Sequence, residues 1–189
     1  MIVKMLSRDT DNSLVQSSSR RSIRKCYLLF PTIEKMAESP NGRFFAPMLK
    51  YFRWAIPLLI FPFQFLPHRV KHFLIVRYFG KGQVPQCAVE ATVKLLSPSS
   101  CRNCLHLANI EMRSVCELDR KTVDENLTRL CFYYGKKDAW CPVEYFYLMV
   151  RRFPSAEIHF CSCGFEHAFV MRSSEQMASI VSHWLQSSN

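Results

Sequence analysis

The chain mixes short unbroken apolar runs with stretches whose apolar residues recur at helical spacing. CYLLF (26–30), stopped by Pro31, and RLCFYYG (129–135) are two such runs. Runs of this length bounded by turn residues predict strands buried on both faces of a parallel sheet. Residues 156–161 alternate instead, with Ala156, Ile158 and Phe160 against Glu157, His159 and Cys161. That pattern predicts a half-exposed edge strand. Met112, Val115, Leu118, Val123 and Leu127 predict an amphipathic helix near 111–127. Val143, Phe146, Met149 and Val150 predict another, with Pro142 in its first turn. Met177, Ile180, Val181, Trp184 and Leu185 predict a last helix, opened by a capping box of Ser173 and Gln176. MIVKML starts apolar without a capping residue, as a helix entered part way along. The order is strand, long Pro-punctuated insertion, helix, strand, helix, edge strand, helix. That order predicts an α/β fold with a mostly parallel sheet.

Charge changes the picture of the insertion. The net charge is +10, but residues 1–80 hold thirteen Lys and Arg against four acids, and residues 81–189 twelve against eleven. The basic excess therefore gathers in RRSIRK (20–25) and around FFAPMLKYFRWAIPLLIFPFQFLP (44–67). The uncharged run from Trp54 to Leu66 is too short to span a bilayer as a helix, and Pro57 and Pro62 interrupt it. Lys50 and Arg53 flank it on one side, His68, Arg69 and Lys71 on the other. Such a segment suits a membrane interface, with cationic heads at the phosphates and Trp54 at the boundary. A buried lid or core helix pair is the competing expectation. Nucleic acid is the weaker partner, because no stacking surface accompanies the basic residues. Nine cysteines, an odd number scattered among apolar segments, and a start that turns polar after six residues predict reduced thiols and a cytosolic face.

The candidate chemistry sits just past the last two strands, where open parallel sheets collect reactive groups. Asp138 follows the second strand in YYGKKDAWCP, and His167 follows the edge strand in GFEHAF. A carboxylate and an imidazole in successive post-strand loops are what a hydrolase triad needs. The imidazole takes the serine proton while the carboxylate holds its tautomer. In the α/β-hydrolase order, Ser on a G-x-S-x-G elbow precedes both. Each residue also has a plainer role: Asp138 as a turn and capping residue, His167 as a core histidine among Phe165 and Phe169. Trp140 and Cys141 are expected to pack the acid loop.

FPTIEKMAESPNGRFF, YYGKKDAWCPVEYF and GFEHAFV resemble the corresponding blocks of the lipid droplet-associated serine hydrolase family. The resemblance runs from about Cys26 to the C-terminus, and more weakly through MIVKMLSRD. It implies an α/β-hydrolase fold and turnover of neutral lipid, including cholesterol esters. It also implies residence on lipid droplets and endoplasmic reticulum membrane, at the cytosolic face. By match of motif, Asp138 takes the acid position and His167 the general base. The apolar segment, with Phe44, Phe45, Trp54, Leu58, Leu59, Phe61, Phe63 and Leu66, takes the place of the droplet anchor. No cofactor or metal is implied.

One departure is decisive for activity. None of the five glycines makes G-x-S-x-G; Ser162 precedes Gly164 but has Phe160 two positions before it. The expectation is a truncated form, lacking the half that carries the elbow, the oxyanion hole and the first strands, and inactive alone. Residues 1–189 would form one incomplete domain: a remnant helix and basic linker over 1–25, a lid or anchor insertion over 31–110, and an acid- and histidine-bearing part over 111–189. Two other readings remain. One is a non-catalytic membrane-bound remnant that competes for droplet sites. The other is a zinc module built on Cys101-x-x-Cys104 with His106 and on Cys161-x-Cys163 with His159.

Overall fold

A computed structural model describes residues 23–80 and 84–187. The expected helix at 1–6 and the basic linker as far as residue 22 lie outside the described residues. Among the described residues, three strands pair in the order β1 (Cys26–Leu29), β2 (Leu130–Gly135), β3 (Glu157–Cys161), all parallel. The helices are α1 (Pro40–Phe52), α2 (Ala55–Ile60), α3 (His68–Phe79), α4 (Gln86–Leu95), α5 (Pro98–Ser114), α6 (Arg120–Glu125), α7 (Val143–Arg152) and α8 (Ser174–Ser187). This is a partial α/β fold, as the pattern predicts. The chain groups into two compact units: the part up to Pro40 with Val115–His167, and Asn41–Ser114 with Ala168 onward.

In the first unit the central strand does what its continuous apolar run dictates. All six residues of β2 are buried. Leu130, Phe132 and Tyr134 share a core with Leu28, Tyr145, Met149 and Phe153, while the intervening residues face the other side of the sheet. Burying side chains of this size stabilises the unit by about 1.5–3 kcal/mol each. β1 is only partly covered, with Leu28 buried and its neighbours intermediate. The face of α7 is set by Tyr145 and Met149, whereas Val150 is exposed, so the predicted stripe is rotated. The Tyr145 hydroxyl explains the shift, since it donates to the Lys35 carbonyl at 2.9 Å. Pro142 stands just before the helix rather than in its first turn.

Two further expectations are corrected. The single helix over 111–127 is divided: α5 ends at Ser114, and α6 starts after Asp119, whose carboxylate accepts from the Thr122 amide. Between them the carbonyls of Val115 and Cys116 accept from Met36 and Lys35, a backbone demand that helical residues could not meet. In β3 the alternation fails at its end, where Cys161 is buried and Phe160 exposed. Phe160 leans on Phe146 of α7, ring centres 4.9 Å apart.

The second unit is helical where the sequence shows mainly prolines. Pro40 and Pro98 open α1 and α5, where a missing N–H costs nothing. α1 and the stretch Ala55–Phe65 meet at 83°, and among the described residues no single helix is long and apolar enough to cross a membrane. α8 begins directly after Ser173; of the stripe that its spacing predicts, Met177 is buried, Ile180, Val181 and Trp184 are half-buried, and Leu185 is exposed.

Candidate acid–histidine site

Gly135, the last residue of β2, delivers the chain to Lys136, Lys137 and Asp138. The Asp138 side chain is fully buried, and its two oxygens do different work. Oδ1 accepts from the backbone N–H groups of Trp140 (2.7 Å) and Cys141 (3.0 Å), which closes a tight turn and fixes the carboxylate. Oδ2 meets Nδ1 of His167 at 2.8 Å. The plainer role of Asp138 as a turn residue is therefore real, and it coexists with the contact to histidine. Nε2 of His167 has no protein partner among the described residues, and the side chain is 36% exposed. The ring is fixed but open on its far side.

The surroundings explain how the imidazole is held. The rings of Phe30 and Trp140 both lie 6.4 Å from it, centre to centre. Phe30 directly follows β1 with φ at +49°, a conformation that costs a non-glycine residue energy, while its N–H donates to the Tyr133 carbonyl at 2.8 Å. Its ring lies across Gly135, where an added Cβ would come within 2.2 Å of the Phe30 ring. Gly164, at φ +73°, turns the chain from β3 toward His167 and packs against the Lys137 stem. Sequence pattern identifies Asp138, His167, Trp140 and Cys141. It misses Phe30 and Gly135, whose contact depends on strand pairing, although a glycine ending an apolar strand is a visible signal of close approach.

Asp138, Cys141 and His167 bring three possible metal or nucleophile groups within 4.8 Å of one another. Burial pushes the Cys141 thiol up to about 12, and neighbouring Asp138 adds to the rise. A thiol so far from ionising is a poor nucleophile by itself. It instead donates to the Phe30 carbonyl at 3.4 Å. The other such trio is Cys131, Glu157 and His159. Burial raises Cys131 to about 12, and Lys25 already pairs with Glu157. On α5, Cys101 is buried and Cys104 exposed, and they form no three-ligand group with His106 among the described residues.

In the second unit the apolar segment stands largely in solvent. Phe44, Trp54, Leu58, Leu59, Phe61 and Phe65 are exposed, while Phe45, Phe63 and Leu66 are half-buried. Phe73, Leu74 and Tyr78 of α3 extend the exposed apolar surface beyond the segment that hydropathy singles out. Residues 41–80 carry six Lys and Arg and no acid.

The family model for lipid-droplet associated hydrolase matches residues 1–170. The chain belongs to that family. Among its relatives, a lipid droplet-associated hydrolase of Gallus gallus is 37% identical over 175 residues, covering 92% of this chain and 54% of that protein. One of Rattus norvegicus is 41% identical over 162 residues, covering 84% of this chain and 49% of that protein. One of Drosophila melanogaster is 36% identical over 168 residues, covering 88% and 55%. The chain spans about half the length of these curated relatives. No solved structure matches it. Asp138 and His167 both lie within the residues that the family model matches.

Proposed function

We propose that this chain carries the acid–base half of a serine ester hydrolase that acts on neutral lipid at a droplet surface. The observation that supports it most is the buried Asp138 carboxylate holding Nδ1 of His167 at 2.8 Å. That bond keeps the proton on Nδ1 and leaves Nε2 as a base. Nε2 would take the hydroxyl proton of an attacking serine and return it to the leaving alcohol, while Asp138 supports the imidazolium. Neutral lipid esters, cholesterol esters among them, are the substrate class of the intact enzyme. The 189 residues contain no G-x-S-x-G, so the reaction needs a serine from outside this sequence.

The test uses a chimera with the N-terminal half of the Gallus gallus relative placed ahead of this chain. It should label with a fluorophosphonate and hydrolyse an aryl ester, whereas this chain alone should do neither. Changing Asp138→Asn in the chimera should lower kcat about 10⁴-fold, because an amide nitrogen facing Nδ1 stabilises the wrong tautomer. Full activity in that variant would remove Asp138 from the mechanism.

The exposed apolar and basic surface of the second unit supports attachment to the droplet and to endoplasmic reticulum membrane at the cytosolic face. It also favours a second reading, in which this chain is a non-catalytic occupant of droplet surface. Both readings require Phe44–Pro67, fused to a fluorescent protein, to coat droplets in lipid-loaded cells. Polar replacement of Trp54, Leu58, Leu59 and Phe61 should make the fusion diffuse. A wild-type fusion that stays diffuse would turn the segment back into a lid.

A further inference from the structure

The second unit holds a hollow of about 390 Å³ lined by Arg53, Trp54, Arg102, Asn103 and His106. We propose that it binds the phosphate head group of an anionic glycerophospholipid, a reading that rests on the droplet-surface attachment above. Arg53 and Trp54 form the link between α1 and α2, and α2 packs on α5. Arg102 and His106 are four residues apart on α5, so they share one face of that helix. The Trp54 indole is tied back by its Nε1 donating to the Tyr51 carbonyl at 2.9 Å.

With the Trp54 N–H taken by Tyr51, the side chains of Arg53, Arg102, Asn103 and His106 can still donate hydrogen bonds into the hollow, and none is a carboxylate. Neither arginine forms an ion pair with an acid among the described residues. Two unengaged guanidinium groups on a shared concavity match the forked geometry of phosphate oxygens. The volume falls in the range of small-molecule sites, roughly 300–1,000 Å³, and exceeds what a bare phosphate needs. The lipid source follows from the neighbours. Trp54 itself lines the hollow, and Leu58 and Leu59, one turn further along, are exposed apolar side chains suited to acyl chains. A head group in the hollow and tails beside α2 would belong to one molecule.

The experiment synthesises the full chain in the presence of vesicles and measures flotation. One set is pure phosphatidylcholine and the other contains about 20 mol % phosphatidic acid, enough to give an anionic surface. The chain should favour the anionic set. The charge-conserving pair Arg53→Lys/Arg102→Lys should lose about tenfold on that set, because it removes the forks and keeps the field. It should lose nothing on phosphatidylcholine. The control pair Arg69→Lys/Arg77→Lys should float like the parent on both. Undiminished flotation of the Arg53/Arg102 pair would overturn the site in favour of diffuse attraction. Equal flotation of the parent on both sets would overturn the site and leave surface attachment standing. Flotation on neither would overturn both. If inorganic phosphate at roughly 10 mM abolished the preference, the hollow would be a free-anion site and the lipid assignment would fall.

Discussion

Changing Gly135 to alanine should destabilise the sheet-bearing unit by about 2 kcal/mol, and valine should cost more. The added Cβ would lie 2.2 Å from Cε1 of Phe30 and 3.0 Å from Cδ1, well inside any tolerable contact. Gly135 closes a strand buried along its whole length, so its backbone has little room to retreat. The ring must move instead. Phe30 is 2% exposed, held by its N–H bond to Tyr133 and already at a strained φ. The Phe30 ring also lies against His167, centres 6.4 Å apart, so its displacement by the alanine should loosen the imidazole as well. The urea midpoint of the full chain measures the first effect, and the nitrogen-15 shifts of His167 the second. A Phe30→Leu background, which shortens the side chain, should recover much of the loss and give a coupling of about 1 kcal/mol or more. Additive losses would mean that the two residues do not meet.

The second large effect concerns Glu34, which is 3% exposed and accepts from Nη1 of Arg152 at 2.7 and 2.6 Å. Arg152→Ala should cost about 3 kcal/mol, most of it from leaving a carboxylate buried without its cation. Replacing both partners with apolar residues of similar size should cost far less, since the desolvation of two charges is then avoided. The same denaturation experiment distinguishes these outcomes. If the double replacement were as damaging as the single one, the pair itself would be the stabilising feature.

How much was legible depends on whether a residue's role is local. β2 announces itself because a strand covered on both faces needs nothing but apolar side chains. Asp138 and His167 could be placed by their distance past strand ends, since a parallel sheet brings consecutive strand exits together. The Glu34–Arg152 pair and the Phe30–Gly135 contact could not, because each joins residues more than a hundred positions apart. The insertion was obscure for a different reason. Its prolines look like breaks, yet Pro40 and Pro98 open helices, and Pro47 and Pro57 lie within them. The division of the helix expected over 111–127 was equally hidden, because two distant amides at Lys35 and Met36 decide it.

The parallel pairing of β1 with β2 has a consequence in time. Cys26 pairs with Leu130, so roughly a hundred residues must be added before the first strand can meet its partner. At about 5–20 residues per second, that is a wait of about 5–20 s on the ribosome. The aromatic helices of the insertion are translated wholly within that interval. The surface proposed to attach to lipid is therefore made before β1 can pair with β2, and its delivery need not await folding of the part that holds Asp138 and His167.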